Sequence, residues 1–153
     1  RLCLERAAPL YRTVPAMSGR TASCQCGQLR AHCTGDAARI SMCHCLACQK
    51  RTGAPFSANS RFPRGQVRIE GASRSWQRRA DTGNGVTHHF CPDCGTTVYW
   101  ELSGFPDVIA LANGLFADPA YPAPSVCVWE EARHPWTDEI AALDIPRWPR
   151  MPD

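Results

Sequence analysis

Apolar positions along this chain recur mainly at every second residue and in short runs. Leu29, Ala31 and Cys33 alternate with Gln28, Arg30 and His32, the signature of a half-buried strand. Val67 and Ile69 repeat the alternation before a turn at Gly71, and Trp76 sits in a third short strand. The run Asp81-Thr82-Gly83-Asn84-Gly85 reads as a hairpin turn leading into a strand over Val86–Phe90. Further strands are expected at Thr96–Trp100, Val108–Ala112 and Val126–Glu130. One short helix is expected around Thr137–Leu143, with Asp138 and Glu139 in its first turn. Thirteen prolines and eleven glycines interrupt the rest and argue against long helices. The expected fold class is all-β.

A length of 153 residues suits one domain with a real core, and the apolar share suits a globular chain. The domain is expected over residues 20–145, preceded by a disordered or extraneous extension over 1–19 and followed by a Pro-rich tail over 146–153. Met17 reads as a start, which would leave Cys3 without a role. No stretch approaches membrane-spanning length, and residues 1–16 hold no apolar run of secretory type, so a cytoplasmic location is expected.

The ten cysteines change this picture most. Seven fall into three clusters: Cys24 and Cys26; Cys43, Cys45 and Cys48; Cys91 and Cys94. Ten is an even number, so disulfides have to be weighed, but cysteines one residue apart are poorly placed to bridge each other. Metal is the better reading. The first and third clusters together offer four thiolates, enough to complete a tetrahedron. In Cys91-Pro92-Asp93-Cys94-Gly95, Pro92 fixes the turn and Gly95 permits a positive φ. An ion there would staple distant strands, and its binding energy becomes folding energy of order 10 kcal/mol. Seven thiolates against two dications also cancel the formal charge of +3, which removes the argument for a nucleic-acid partner.

The middle cluster supplies only three thiolates. Three protein ligands with one open position is the catalytic arrangement of zinc, and such an ion lowers the pKa of a thiol that joins it. The alternative is closure by His44, Cys33, Cys127, His88 or His89 into a second structural site. His44 would have to turn back sharply, and Cys33 and Cys127 read as buried apolar cysteines. His88 and His89 read as packing or supporting groups. A third reading is a weakly metallated redox switch.

In order, C-x-C-G, C-H-C-x-x-C-Q-K-x-T-G-A-P-F and F-C-P-x-C-G-T resemble the glutathione-dependent formaldehyde-activating enzyme family, which includes centromere protein V. The resemblance runs from about Ser23 to Trp136. It implies a β-tent fold of two small antiparallel sheets stapled by zinc. It implies a structural zinc on Cys24, Cys26, Cys91 and Cys94, and a catalytic zinc on Cys43, Cys45 and Cys48. The implied activity is carbon–sulfur lyase chemistry on S-hydroxymethylglutathione, formed from glutathione and formaldehyde. Glutathione carries two carboxylates, for which Lys50, Arg51 and Arg61 are the nearest cations in sequence; their plainer role is solvated surface charge. Gly53-Ala54-Pro55-Phe56 is expected to form a turn beside the site, and Ser57, Asn59 and Ser60 could donate hydrogen bonds there. The competing functions are a metal-stapled protein-binding module anchored by Trp100, Trp129 or Trp136, and a thiol redox or metal sensor.

Overall fold

Ten strands in two sheets carry the molecule, in a computed structural model that describes residues 19–143. Cys3, Met17 and the Pro-rich tail fall outside the described residues. Strands β1 (Arg20–Ser23), β2 (Arg30–Cys33) and β5 (Val67–Glu70) form a small antiparallel sheet in the order β1-β2-β5. The larger sheet holds β3 (Arg39–Cys43), β4 (Ser57–Pro63), β6 (Arg74–Arg79), β7 (Gly85–Phe90), β8 (Thr97–Leu102), β9 (Val108–Ala112) and β10 (Val126–Val128). Its order is β10-β3-β4-β9-β8-β7-β6, antiparallel throughout except for the parallel pair β10 and β3.

The core lies between the sheets. Leu29, Ala31 and Cys33 face Ile40, Phe62, Val98, Ile109 and Leu111, all of them buried. Burying each large side chain contributes roughly 1.5–3 kcal/mol. Cys33 is accordingly a core residue, its thiol pushed up to about 12 by burial.

The other face of the large sheet is different in kind. One register row runs Arg39, Arg61, Ala110, Trp100, His88 and Trp76 across six strands. Because side chains alternate across a strand, these six share a face, and Ile40, Phe62, Ile109 and Leu111 occupy the opposite one. The expected strands are present, and three more were not anticipated: β1, β3 and β4. Strand β4 hides because it buries polar residues: Ser57, Asn59 and Ser60 are all under 10% exposed. Ser60 Oγ donates to Asn113 Oδ1 (2.8 Å) and pairs with the Tyr121 hydroxyl (2.6 Å), on the core side. An alternation of polar with apolar therefore never arises in this segment.

The helix expected at Thr137–Leu143 needs correcting. Pro135–Ala142 is 3-10 helix, broken by a non-helical Glu139. The α-helix lies elsewhere, at α1 (Leu46–Thr52), inside the middle cysteine cluster. Cys45 caps its start, accepting from the Cys48 N–H (3.4 Å), and Gly53 ends it in the left-handed conformation. Seven residues with an exposed Leu46 carry no apolar stripe that would reveal a helix.

Candidate metal centres

The Sγ atoms of Cys24, Cys26, Cys91 and Cys94 all lie within 4.8 Å of one another. Cys26 is 3.5 Å from Cys24 and 3.6 Å from Cys91. Two thiolates on one tetrahedral zinc lie about 3.8 Å apart, so this spacing fits an ion and not a disulfide. Donors surround the sulfurs: the Leu29 N–H reaches Cys24 (3.2 Å), the Gln28 amide reaches Cys91 (3.2 Å), and the Thr96 hydroxyl lies 3.3 Å from Cys94. The Thr96 hydroxyl, followed by backbone N–H groups, draws the Cys94 thiol down to about 5. Such donors offset the charge of a four-thiolate centre. Gly95 has φ +72° and its N–H closes the turn onto the Cys91 carbonyl (3.0 Å). At the other end, Gln28 also clamps Ala72 through both amide atoms. This tethers the first cysteine turn to the loop after β5.

Cys43, Cys45 and Cys48 form a second group, with no described His, Cys, Asp or Glu joining them within 4.8 Å. Cys43 ends β3, Cys45 caps α1, and Cys48 sits in its first turn. The Cys48 thiol is drawn down to about 6, first by the hydrogen bond with Cys43 and then by the Arg51 guanidinium, against the opposing effect of burial. Cys43 is pushed up, mainly by sharing its proton with Cys48 and next by burial. Burial likewise pushes Cys45 up. The Cys48 sulfur thus sits beside a cation, which favours its thiolate form.

That cation is fixed. Arg51 projects from α1 onto the Trp100 ring (4.4 Å to its centroid) and donates to Ser57 Oγ (2.5 Å). Burial lowers its pKa, and the nearby Cys48 works in the opposite direction. The thiolates, Arg51 and every residue of the large sheet's register row except Trp76 line a hollow of about 280 Å³. Four arginines border it (Arg39, Arg51, Arg61 and Arg78) against one acid, Asp81. Arg39 and Arg61 stand directly opposite each other on neighbouring strands, a like-charge pairing that costs stability unless something anionic lies between them. His88 forms part of the wall, its imidazole held down at about 4 by burial and then by Arg51 and Arg78.

The family model for the glutathione-dependent formaldehyde-activating enzyme matches residues 19–132. The chain belongs to that family. A crystal structure of a Rhodobacter sphaeroides protein from a structural genomics programme superposes on it with a TM-score of 0.50 at 17% identity. The match covers 70% of this chain and 97% of that one and supports the fold alone.

Within this formaldehyde-activating fold, the seven cysteines singled out by spacing fall into the two groups that spacing suggested. Neither His88 nor His89 joins the open trio. His88 lies between Trp76 and Trp100, while His89 stacks on Tyr99 (4.2 Å) and reaches Glu101 (3.0 Å). Of the three cations, Arg51 and Arg61 border the thiolate hollow, whereas Lys50 lines a neighbouring one with Trp76 and Phe90. Ser57 and Asn59 support Arg51, and Ser60 points away. Sequence reading misses Arg39 and Arg78 altogether, and it names His88 and Trp100 for other roles, as a closing ligand or supporting group and as a docking anchor. Only the register of the large sheet brings them together, and no local spacing encodes it. Cys127 is half-buried near His44 and Glu130, and so is not the apolar core cysteine expected. Among the described residues no helix is long and apolar enough to cross a membrane.

Proposed function

We propose that this chain is a zinc-dependent carbon–sulfur lyase for a glutathione-type thiol adduct, S-hydroxymethylglutathione or a close relative. The observation that carries the reading is three convergent thiolates, with no fourth ligand among the described residues, at the edge of a hollow bordered by arginines. Cys24, Cys26, Cys91 and Cys94 would hold a structural zinc; Cys43, Cys45 and Cys48 would hold a catalytic one. Zinc at the second site supplies a Lewis acid that lowers the pKa of a thiol arriving at the open position.

The chain's own residues do the rest. Arg51 offsets the charge gathered on the cysteines and, clamped by Trp100, Ser57 and Asn59, stays in place as substrate enters. Arg39, Arg61 and Arg78 suit the two carboxylates of glutathione, and each guanidinium can grip a carboxylate through two N–H groups. Lys50 lines the neighbouring hollow and would meet only a substrate that reaches into it. In synthesis the substrate sulfur bonds to the formaldehyde carbon, and the proton the thiol gives up ends on the new hydroxyl. In the lyase direction the same C–S bond breaks and the hydroxyl proton returns to sulfur. Reduced thiolates at both centres suit a reducing compartment such as the cytoplasm.

The alternative of a docking scaffold loses one of its anchors, because Trp100 is buried under Arg51; Trp129 and Trp136 remain 37% and 45% exposed. Exchange NMR between free and glutathione-bound formaldehyde tests the enzyme directly. Zinc-loaded protein is expected to raise the exchange rate at least tenfold, and Cys48→Ser to return it to the uncatalysed value. An unchanged rate with the wild-type protein would sink the proposal.

A further inference from the structure

We propose that His44, Cys127 and Glu130 form a third metal site, next to the open thiolate trio. One donor atom from each lies within 4.8 Å of the others. Three different elements deliver them: the turn between β3 and α1, strand β10, and the 3-10 turn Glu130–Ala132. His44 lies between Cys43 and Cys45 but does not line their shared hollow.

An orphaned buried oxygen points to an ion here. The Glu130 Oε1 atom is buried without a hydrogen-bond partner and faces the 1%-exposed His44 ring, 3.5 Å from Nε2. That separation is long for a hydrogen bond and close to the roughly 3.4 Å between nitrogen and oxygen donors on one tetrahedral zinc. The surroundings hold both groups in place. The His44 N–H donates to the Val128 carbonyl (3.0 Å), its own carbonyl accepts from Gln49 Nε2 (2.7 Å), and its ring packs on Phe56. Trp129 takes the left-handed conformation (φ 61°), unusual for a bulky residue, and this reverses the chain so that Glu130 points back at His44. Glu130 Oε2 is steadied by Arg133 Nε (3.3 Å), the kind of outer partner that ligating carboxylates keep.

Imidazole, thiolate and carboxylate together favour a borderline divalent ion such as zinc over magnesium or calcium. A thiolate and a carboxylate also neutralise a dication, so the bound site carries no net charge. An ion here would pin the backbone that presents Cys43 and Cys45.

The site is independent of the thiol-adduct reading, and zinc alone is the probe. Full-length protein is dialysed against increasing free zinc under reducing conditions, and stoichiometry is read by native mass spectrometry. Three zinc ions per chain are expected for the wild type. Cys127→Ser and Glu130→Gln should each hold two, with the third binding at least tenfold more weakly. Cys48→Ser should lose a different ion and keep the third site, which separates this test from that of the catalytic proposal. Saturation of the wild type at two ions, or a third ion undisturbed by both Cys127→Ser and Glu130→Gln, would overturn the assignment. Should Cys127→Ser fail to fold, Glu130→Gln decides alone.

Discussion

Single residues divide the two thiolate centres by role. Cys94 belongs to a cysteine group that joins two separate turns, whereas Cys48 belongs to one contained within β3, α1 and the turn between them. Cys94→Ser is therefore expected to unfold the domain, and Cys48→Ser to leave circular dichroism unchanged while abolishing thiol binding. Matching melting curves for the two variants would contradict this division. His88 offers a second test at this scale. Burial and two arginines hold its imidazole neutral, with a folded pKa of about 4 against an ordinary 6.5. The unfolded chain therefore binds more protons between those values, so this group's contribution to stability is complete above pH 6.5 and is lost as pH falls towards 4. NMR titration of the ring should show a midpoint near 4; a midpoint near 6.5 would mean that His88 is more solvated than its place between two tryptophans allows.

Elements show where sequence reading succeeds and where it stops. Strand β2 announces itself because Ala31 and Cys33 enter the core while Arg30 stays out. The cysteine turns are equally plain, since ligand spacing is local. Strand β4 and helix α1 are not legible: the first buries serine and asparagine against partners far along the chain, and the second is held by Cys45 at its cap and Gly53 at its end. The arginine-lined hollow is invisible for a related reason, because Arg39, Arg61 and Arg78 converge only through strand register. The loop after β5 makes an element-level prediction. Gly71 has φ +97°, and a Cβ there would lie 2.0 Å from the Gln28 carbonyl oxygen. Gly71→Ala is expected to cost about 2 kcal/mol or more in chemical denaturation, as the backbone holding the first cysteine turn must move. A change below 0.5 kcal/mol would show that this contact is not maintained.

At the scale of the whole molecule, metal bound at the cysteine groups would stand in for a larger core. The small sheet contributes few large side chains, and the four-cysteine centre ties it to the β7–β8 turn of the large sheet. A strong chelator under reducing conditions should therefore collapse the thermal transition by tens of degrees, with zinc restoring it; an unchanged melting temperature would show the sheets stable on their own. The same assembly leaves one face of the large sheet free to carry arginines around the open trio, so the structural and chemical halves are built on opposite sides of the same strands. The central claim is that this trio accepts an incoming thiol. Cobalt-substituted protein titrated with glutathione tests it most directly. The visible ligand-field bands are expected to shift on adding glutathione and to stay put with S-methylglutathione. Identical spectra with and without glutathione would contradict thiol ligation at Cys43, Cys45 and Cys48.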